Sequence, residues 1–235
     1  MTAHVEPVGW DGAVNAWRVG ESLFRMGRRE WLTDRGWAEL RAAGVTTVID
    51  LRNEDEWGRR PADPEVSERS WAGIDIVSAP TEDPRNAEFA ELCVPWLNHP
   101  RHYPDVLRLF PDHVATVVRA VAAAPAGVVV HCSAGRDRTG LIVTLLLALA
   151  GTDGATVDAH YAAGIRGIND RHRIHPHPEP IERHLDGEEL ETSIADKVAA
   201  LRAFTSGLDA ADYLAGAGVS PAEIAAVVAK LGHPA

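Results

Sequence analysis

"VVVHCSAGRDRTGLIVTLLLALAG", residues 128–151, decides how this chain reads. An apolar run stops at a His-Cys pair, a polar joint follows, and a second apolar run continues to Gly151. The first run, with Ala126 and Gly127 before it, is apolar without alternation, as in a parallel strand buried on both faces. The second predicts a helix over Thr139–Ala150 that ends at Gly151. A strand, a short turn and a helix in that order indicate an α/β layer architecture.

The flanking sequence continues the pattern. Residues 33–51, "TDRGWAELRAAGVTTVIDL", predict a helix and then a strand. Thr33 or Asp34 caps the helix, Trp37, Leu40 and Ala43 share one face, and Gly44 suits its end. "GIDIVSAP" (73–80) predicts a second strand, and a loop-rich region runs from Thr81 to about Pro104. Residues 112–124 place valines on a helical stripe, and "GATVDAHYAAGI" (154–165) predicts a further short helix. A polar, proline-containing connection covers 171–189, and about three short helices follow. The last begins at Ser220-Pro221, with Glu223 closing a capping box. These elements predict a parallel-type central sheet flanked by helices, with a small helical C-terminal extension. One domain spans 1–235, its core at about 20–170 and the helical part at about 185–235.

Composition bounds the function. The chain has 235 residues, 46% of them hydrophobic, enough for one substantial core. A formal charge of −11 argues against a nucleic-acid partner, so positive charge for an anion must be concentrated locally. Two cysteines, Cys93 and Cys132, are too few for a disulfide-stabilised secreted domain of this length. "MTAHVEPVGWDGAVNAW" lacks the basic start and apolar core of a signal peptide. The longest uncharged apolar run, Leu141–Ala150, falls short of the roughly 20 residues of a membrane span. The expectation is a cytoplasmic protein without stable membrane insertion.

The polar joint carries the chemistry. Cys132 is followed by Ser133, Ala134, Gly135, Arg136 and Asp137, and then by Arg138 and Thr139. A turn between strand and helix aims backbone N–H groups into one concavity, and the helix N-terminus adds its unpaired donors. A tetrahedral oxyanion fits such a cradle. Gly135 and Gly140 allow the required angles and close approach, and Arg138 can meet two anionic oxygens at once. A cysteine beside an arginine at a helix N-terminus favours its thiolate. Cys132 is then set to attack a bound phosphorus, giving a cysteinyl-phosphate that water hydrolyses. Thr139 is placed to donate its hydroxyl to the sulfur, and His131 to order the loop.

"HCSAGRDRTG" resembles the Cys-x5-Arg phosphate loop of protein-tyrosine and dual-specificity phosphatases. Its "DRTG" ending is similar to an atypical bacterial group typified by mycobacterial protein-tyrosine phosphatase B, some of which also act on phosphoinositides. "LFRMGRREWLTDRGWAELRAAGVTTVIDLRNEDEW" and "GVSPAEI" extend the resemblance over roughly residues 20–230. It implies Cys132 as nucleophile, Arg138 as phosphate binder, a phosphorylated protein or phosphoinositide substrate, inorganic phosphate as product, and no cofactor. In that group an aspartate inside the loop has been considered as general acid, here Asp137. Asp83 in "APTEDP" competes for that role. Arg136 stands where the group often has lysine. Asp50 and Arg52 of "IDLR" are candidates to support the site from a strand end, or to form a salt bridge that closes it.

Other readings are weaker. A rhodanese-like sulfurtransferase would suit "VIDLRNEDEW", but the five-residue spacer and "RTG" favour phosphate. A phospho-ligand-binding module without turnover commonly lacks the cysteine or the arginine, and this chain has both. His172, His175, His177 and His184 have irregular spacing with prolines between them, so no metal site is expected. A protective disulfide between Cys93 and Cys132 is a further expectation to test.

Overall fold

Residues 5–177 and 182–232 are described in the computed structural model of the chain. Five strands form one sheet in the order β1-β2-β5-β3-β4. They are β1 (Trp17–Arg18), β2 (Leu23–Met26), β3 (Val45–Asp50), β4 (Asp75–Ser78) and β5 (Gly127–His131). Only β1 runs antiparallel to its neighbour. All five residues of central β5 are buried, as expected of a strand covered on both faces.

Alternate strand residues feed two cores. Phe24, Met26, Val48 and Val129 pack with Trp37 and Leu40 of α1 (Asp34–Ala42) on one face. Leu23, Ile49, Val128 and Val130 face the other side. There they meet α3 (Tyr103–Leu109), α4 (Pro111–Ala123), α5 (Asp137–Leu149) and α6 (Gly154–Ile174). The short α2 (Ala87–Leu92) buries Phe89 in this second core. It also takes in α7 (Gly187–Ser206), α8 (Ala210–Gly216) and α9 (Pro221–Leu231) through Leu201, Leu214 and Val227. The expected caps form: the Thr33 hydroxyl accepts from Gly36 N at 3.1 Å, and Ser220 and Glu223 close their capping box.

Several elements differ from expectation. β2 lies inside the sheet although "LFRM" carries no strand signature, because four residues with a central arginine show no readable period. The region 81–104, read as loop, contains α2 and the start of α3. α6 is 21 residues long and reaches Ile174, well into the supposed connection. Its buried stripe includes Asn169 and His172, and those polar residues hide the period. α7, at 20 residues, is not short. Residues 178–181 of the connection, residues 1–4 of the segment read for a leader, and residues 233–235 lie outside the described residues. Among the described residues, no helix is long and apolar enough to cross a membrane.

Candidate active site

The strand–turn–helix unit sets Cys132 directly after β5, and Arg138 in the first turn of α5. The helix begins at Asp137, two residues earlier than the sequence suggests. That brings the donors of its first turn closer to the cysteine. Gly135 takes a left-handed φ of +69°, and a Cβ there would stand 2.4 Å from the Met26 carbonyl oxygen. Gly140 admits Tyr103, whose hydroxyl donates to the Asp137 carbonyl at 3.0 Å.

The loop is held from behind by its carbonyls. Arg28 N donates to Ser133 O at 3.0 Å, Asn15 Nδ2 donates to Ala134 O at 2.9 Å, and Arg25 Nη2 donates to Gly135 O. In a trans peptide the carbonyl and the next N–H point in opposite directions. Three carbonyls fixed outward therefore turn the N–H groups of Ala134, Gly135 and Arg136 toward the cysteine side. The result is a concavity of amide donors, a form suited to an anion.

That concavity opens into a cleft of about 470 Å³. Cys132, Ser133, Ala134, Arg136, Asp137 and Arg138 all line it. Arg138 Nη2 donates to Glu56 Oε2 at 2.6 Å and Nη1 to Glu56 Oε1, so Glu56 holds the end of the guanidinium fork. Nε–H and the outer Nη hydrogens stay available for a second bidentate partner. Burial works against the Glu56 carboxylate, yet Arg138 outweighs it and keeps the carboxyl below its usual range. Glu56 also accepts from Ser133 Oγ at 3.3 Å.

The other expected residues fall in different places. Asp137 pairs with Arg136, whose Nε stands 3.0 Å from both carboxylate oxygens, and not with Arg138 or Arg52. Arg136 also donates to Glu182 at 2.8 Å. Asp83 lies on the outer surface with Arg85, at 2.9 Å from its N and 3.0 Å from its Nε, and does not line the cleft. Its neighbour Glu82 does. Thr139 is fully buried, but its hydroxyl makes no hydrogen bond to the sulfur or to any other group.

His131, Asp50 and Arg52 lie behind the cleft. Arg52 donates to Asp50 from Nε at 2.9 Å and from Nη2 at 2.7 Å, and to Glu30 at 2.8 Å. His131 Nδ1 faces the Cys132 carbonyl oxygen at 3.1 Å, which assigns its proton to that nitrogen. Burial lowers the His131 pKa to about 4 against the pull of Asp50, so the ring is neutral at neutral pH. Both cysteines are free, and burial pushes the Cys93 thiol up to about 11. Among the described residues no group of three His, Cys, Asp or Glu could hold a metal ion. His172, His175 and His177 instead line the cleft rim.

Sequence reasoning missed Glu82, Arg25, Asn15 and Glu182. Arg25 sits in an unrecognised strand, and Asn15 lies far from the loop in sequence. Glu56 lies within "VIDLRNEDEW", but nothing in that stretch distinguishes it from Glu54 or Asp55.

A cysteine-bearing turn between a buried parallel strand and a buried helix, with Arg138 in the first turn of that helix, has the form of a Cys-x5-Arg phosphate loop. Residues 17–232 match a family described as "Tyrosine phosphatase family", and the chain belongs to it as a cysteine-dependent phosphatase. A Nostoc commune tyrosine-protein phosphatase is 32% identical over 220 residues, which cover 86% of this chain and 71% of that protein. The Mycobacterium tuberculosis triple specificity protein phosphatase PtpB is 33% identical over 169 residues, 59% of each chain. A cysteine-to-serine variant of P. aeruginosa TpbA, solved in complex with pTyr, shares the fold. Its TM-score is 0.50 at 17% identity, covering 93% of this chain and 98% of that one.

Proposed function

We propose that the chain hydrolyses phosphotyrosine in proteins through a cysteinyl-phosphate on Cys132. The observation that carries this reading is the outward anchoring of the Ser133, Ala134 and Gly135 carbonyls, which leaves inward N–H donors and Arg138 around Cys132. The Cys132 thiolate attacks phosphorus in line while the bond from phosphorus to the tyrosyl oxygen breaks. Asp137 gives that oxygen its proton. Water then attacks the cysteinyl-phosphate, Asp137 takes a proton from it, and the sulfur leaves as thiolate with release of inorganic phosphate. We assign the acid to Asp137 over Asp83 because Asp137 lines the cleft, while Asp83 is turned outward onto Arg85.

The C-terminal helices share a core with α4 and α5, which supports one phosphatase domain over 1–235. Two free thiols support a reducing, cytoplasmic setting.

Hydrolysis of an aryl phosphate tests the assignments. Cys132→Ser should abolish turnover, and Arg138→Lys should lower kcat by about 10²–10³. Asp137→Asn should lower it by about 10²–10⁴, least for substrates with good leaving groups. Asp83→Asn should leave it within twofold; a large loss there with none at Asp137 would reverse the acid assignment. Phosphotyrosine, phosphoserine and phosphothreonine peptides and phosphoinositide vesicles, run side by side, then rank substrates.

A further inference from the structure

Glu82 stands in the cleft without a role in the chemistry above. It follows β4 by four residues, and its side chain is 10% exposed. Oε1 lies 3.6 Å from Arg138 Nη1, beyond hydrogen-bond reach, and Oε2 is buried with no partner. Arg138 is drawn toward Glu56, which leaves Glu82 a long ion pair with it in place of a hydrogen bond. A buried carboxylate with no donor in reach is costly, whereas a neutral carboxylic acid is far less so.

The surroundings agree. Arg138 and Asp137 face Glu82 from α5, Glu56 from the turn after β3, and Cys93 from the end of α2. Cys132 and His102 line the same cleft. Burial, Glu56 and Asp137 disfavour the charge on Glu82, and only Arg138 favours it; the carboxyl is pushed above its usual range. Arg138 and Glu56 already cancel each other. A phosphate dianion beside a thiolate then enters a cleft in which an ionised Glu82 would add a further negative charge against the same guanidinium.

We propose that Glu82 receives the phosphate as a neutral acid, its hydroxyl donating a hydrogen bond to a phosphoryl oxygen, and that ionisation of Glu82 expels the anion. The proposal rests on the phosphatase reading only in using the same cleft. It makes Glu82 a phosphate-binding residue that sets the alkaline limit of anion affinity.

Sulfate is the probe, because it stays a dianion across the pH range and its binding needs no turnover. Cys132→Ser serves as the background, which removes the nucleophile and with it any turnover. From pH 5 to 9, calorimetry on Cys132→Ser should show sulfate affinity falling about tenfold for each pH unit above the Glu82 pKa. Cys132→Ser/Glu82→Gln should lose that slope. A flat profile for the single variant, or an unchanged slope in the double variant, would overturn the proposal. The single variant alone gives a second measurement that does not depend on the double variant folding. Above the Glu82 pKa, sulfate binding compared in two buffers of different ionisation enthalpy should take up close to one proton; zero uptake counts against Glu82. Aryl phosphate turnover surviving in Cys132→Ser would instead sink the cysteinyl-phosphate reading and leave the sulfate result to judge Glu82 on its own.

Discussion

The floor of the cleft and its outer wall are built by opposite means. The floor, Cys132–Thr139, is shaped by backbone: its carbonyls are pinned by Arg28, Asn15 and Arg25, and its glycine sits at a φ open to few other residues. The wall after β4 is shaped by side chains. Glu82 turns inward there, Leu97 and His102 line the rim, and Leu92, Val94 and Trp96 are exposed. A site can hold its anion in a fixed frame and still leave the approach to it open to change. Rigidity belongs where the reacting atoms must align, because small displacements there are costly in rate.

The sharpest way to break this contrast is Gly135→Ala. The methyl would meet the Met26 carbonyl at 2.4 Å in a left-handed conformation, so the loop must move. We expect kcat to fall at least about 10²-fold and stability to fall by at least about 2 kcal/mol, read from turnover and thermal unfolding. Arg25→Gln should separate the two quantities. It removes donors to the Gly135 and His160 carbonyls, which costs stability. It also removes a fully buried guanidinium, whose charge burial disfavours and which has no carboxylate partner among the described residues. The two effects offset, so unfolding should shift by less than about 1 kcal/mol while kcat drops at least roughly tenfold. A large loss of stability with unchanged kcat would make Arg25 a core residue without influence on the floor. The smallest effect belongs to the wall. Trp96→Ser loses a cation–π contact with Arg101 at 4.1 Å, worth about 0.5–1 kcal/mol when exposed. Stability should move by less than that, and aryl phosphate turnover should stay within twofold.

The same contrast explains what could be read in advance. β5, the loop and α5 are contiguous, so their apolar runs and the polar joint between them announce the architecture and single out Cys132 as the candidate nucleophile. The Thr33 cap and the Ser220–Glu223 box are local too, and both form. The pins are not local. Asn15 is the one non-glycine residue with positive φ among the described residues, at 56°, and nothing around it marks a partner in the loop. Arg25 looks like a surface residue in a four-residue strand, and burial is decided by the sheet that forms around it. At the wall, two adjacent carboxylates were visible but not their directions. The chain leaves β4 with Glu82 inward and Asp83 outward, and neighbouring side chains in an extended segment point to opposite sides.

Asn15 and Arg25 lie 119 and 110 residues from the loop carbonyls they hold. During synthesis the N-terminal segment emerges long before the loop does, and closing such wide spans is slow. The cradle acquires its catalytic shape only when β2 has docked against β5. Completion of the cradle is therefore expected late in folding, because it needs contacts that span 119 and 110 residues.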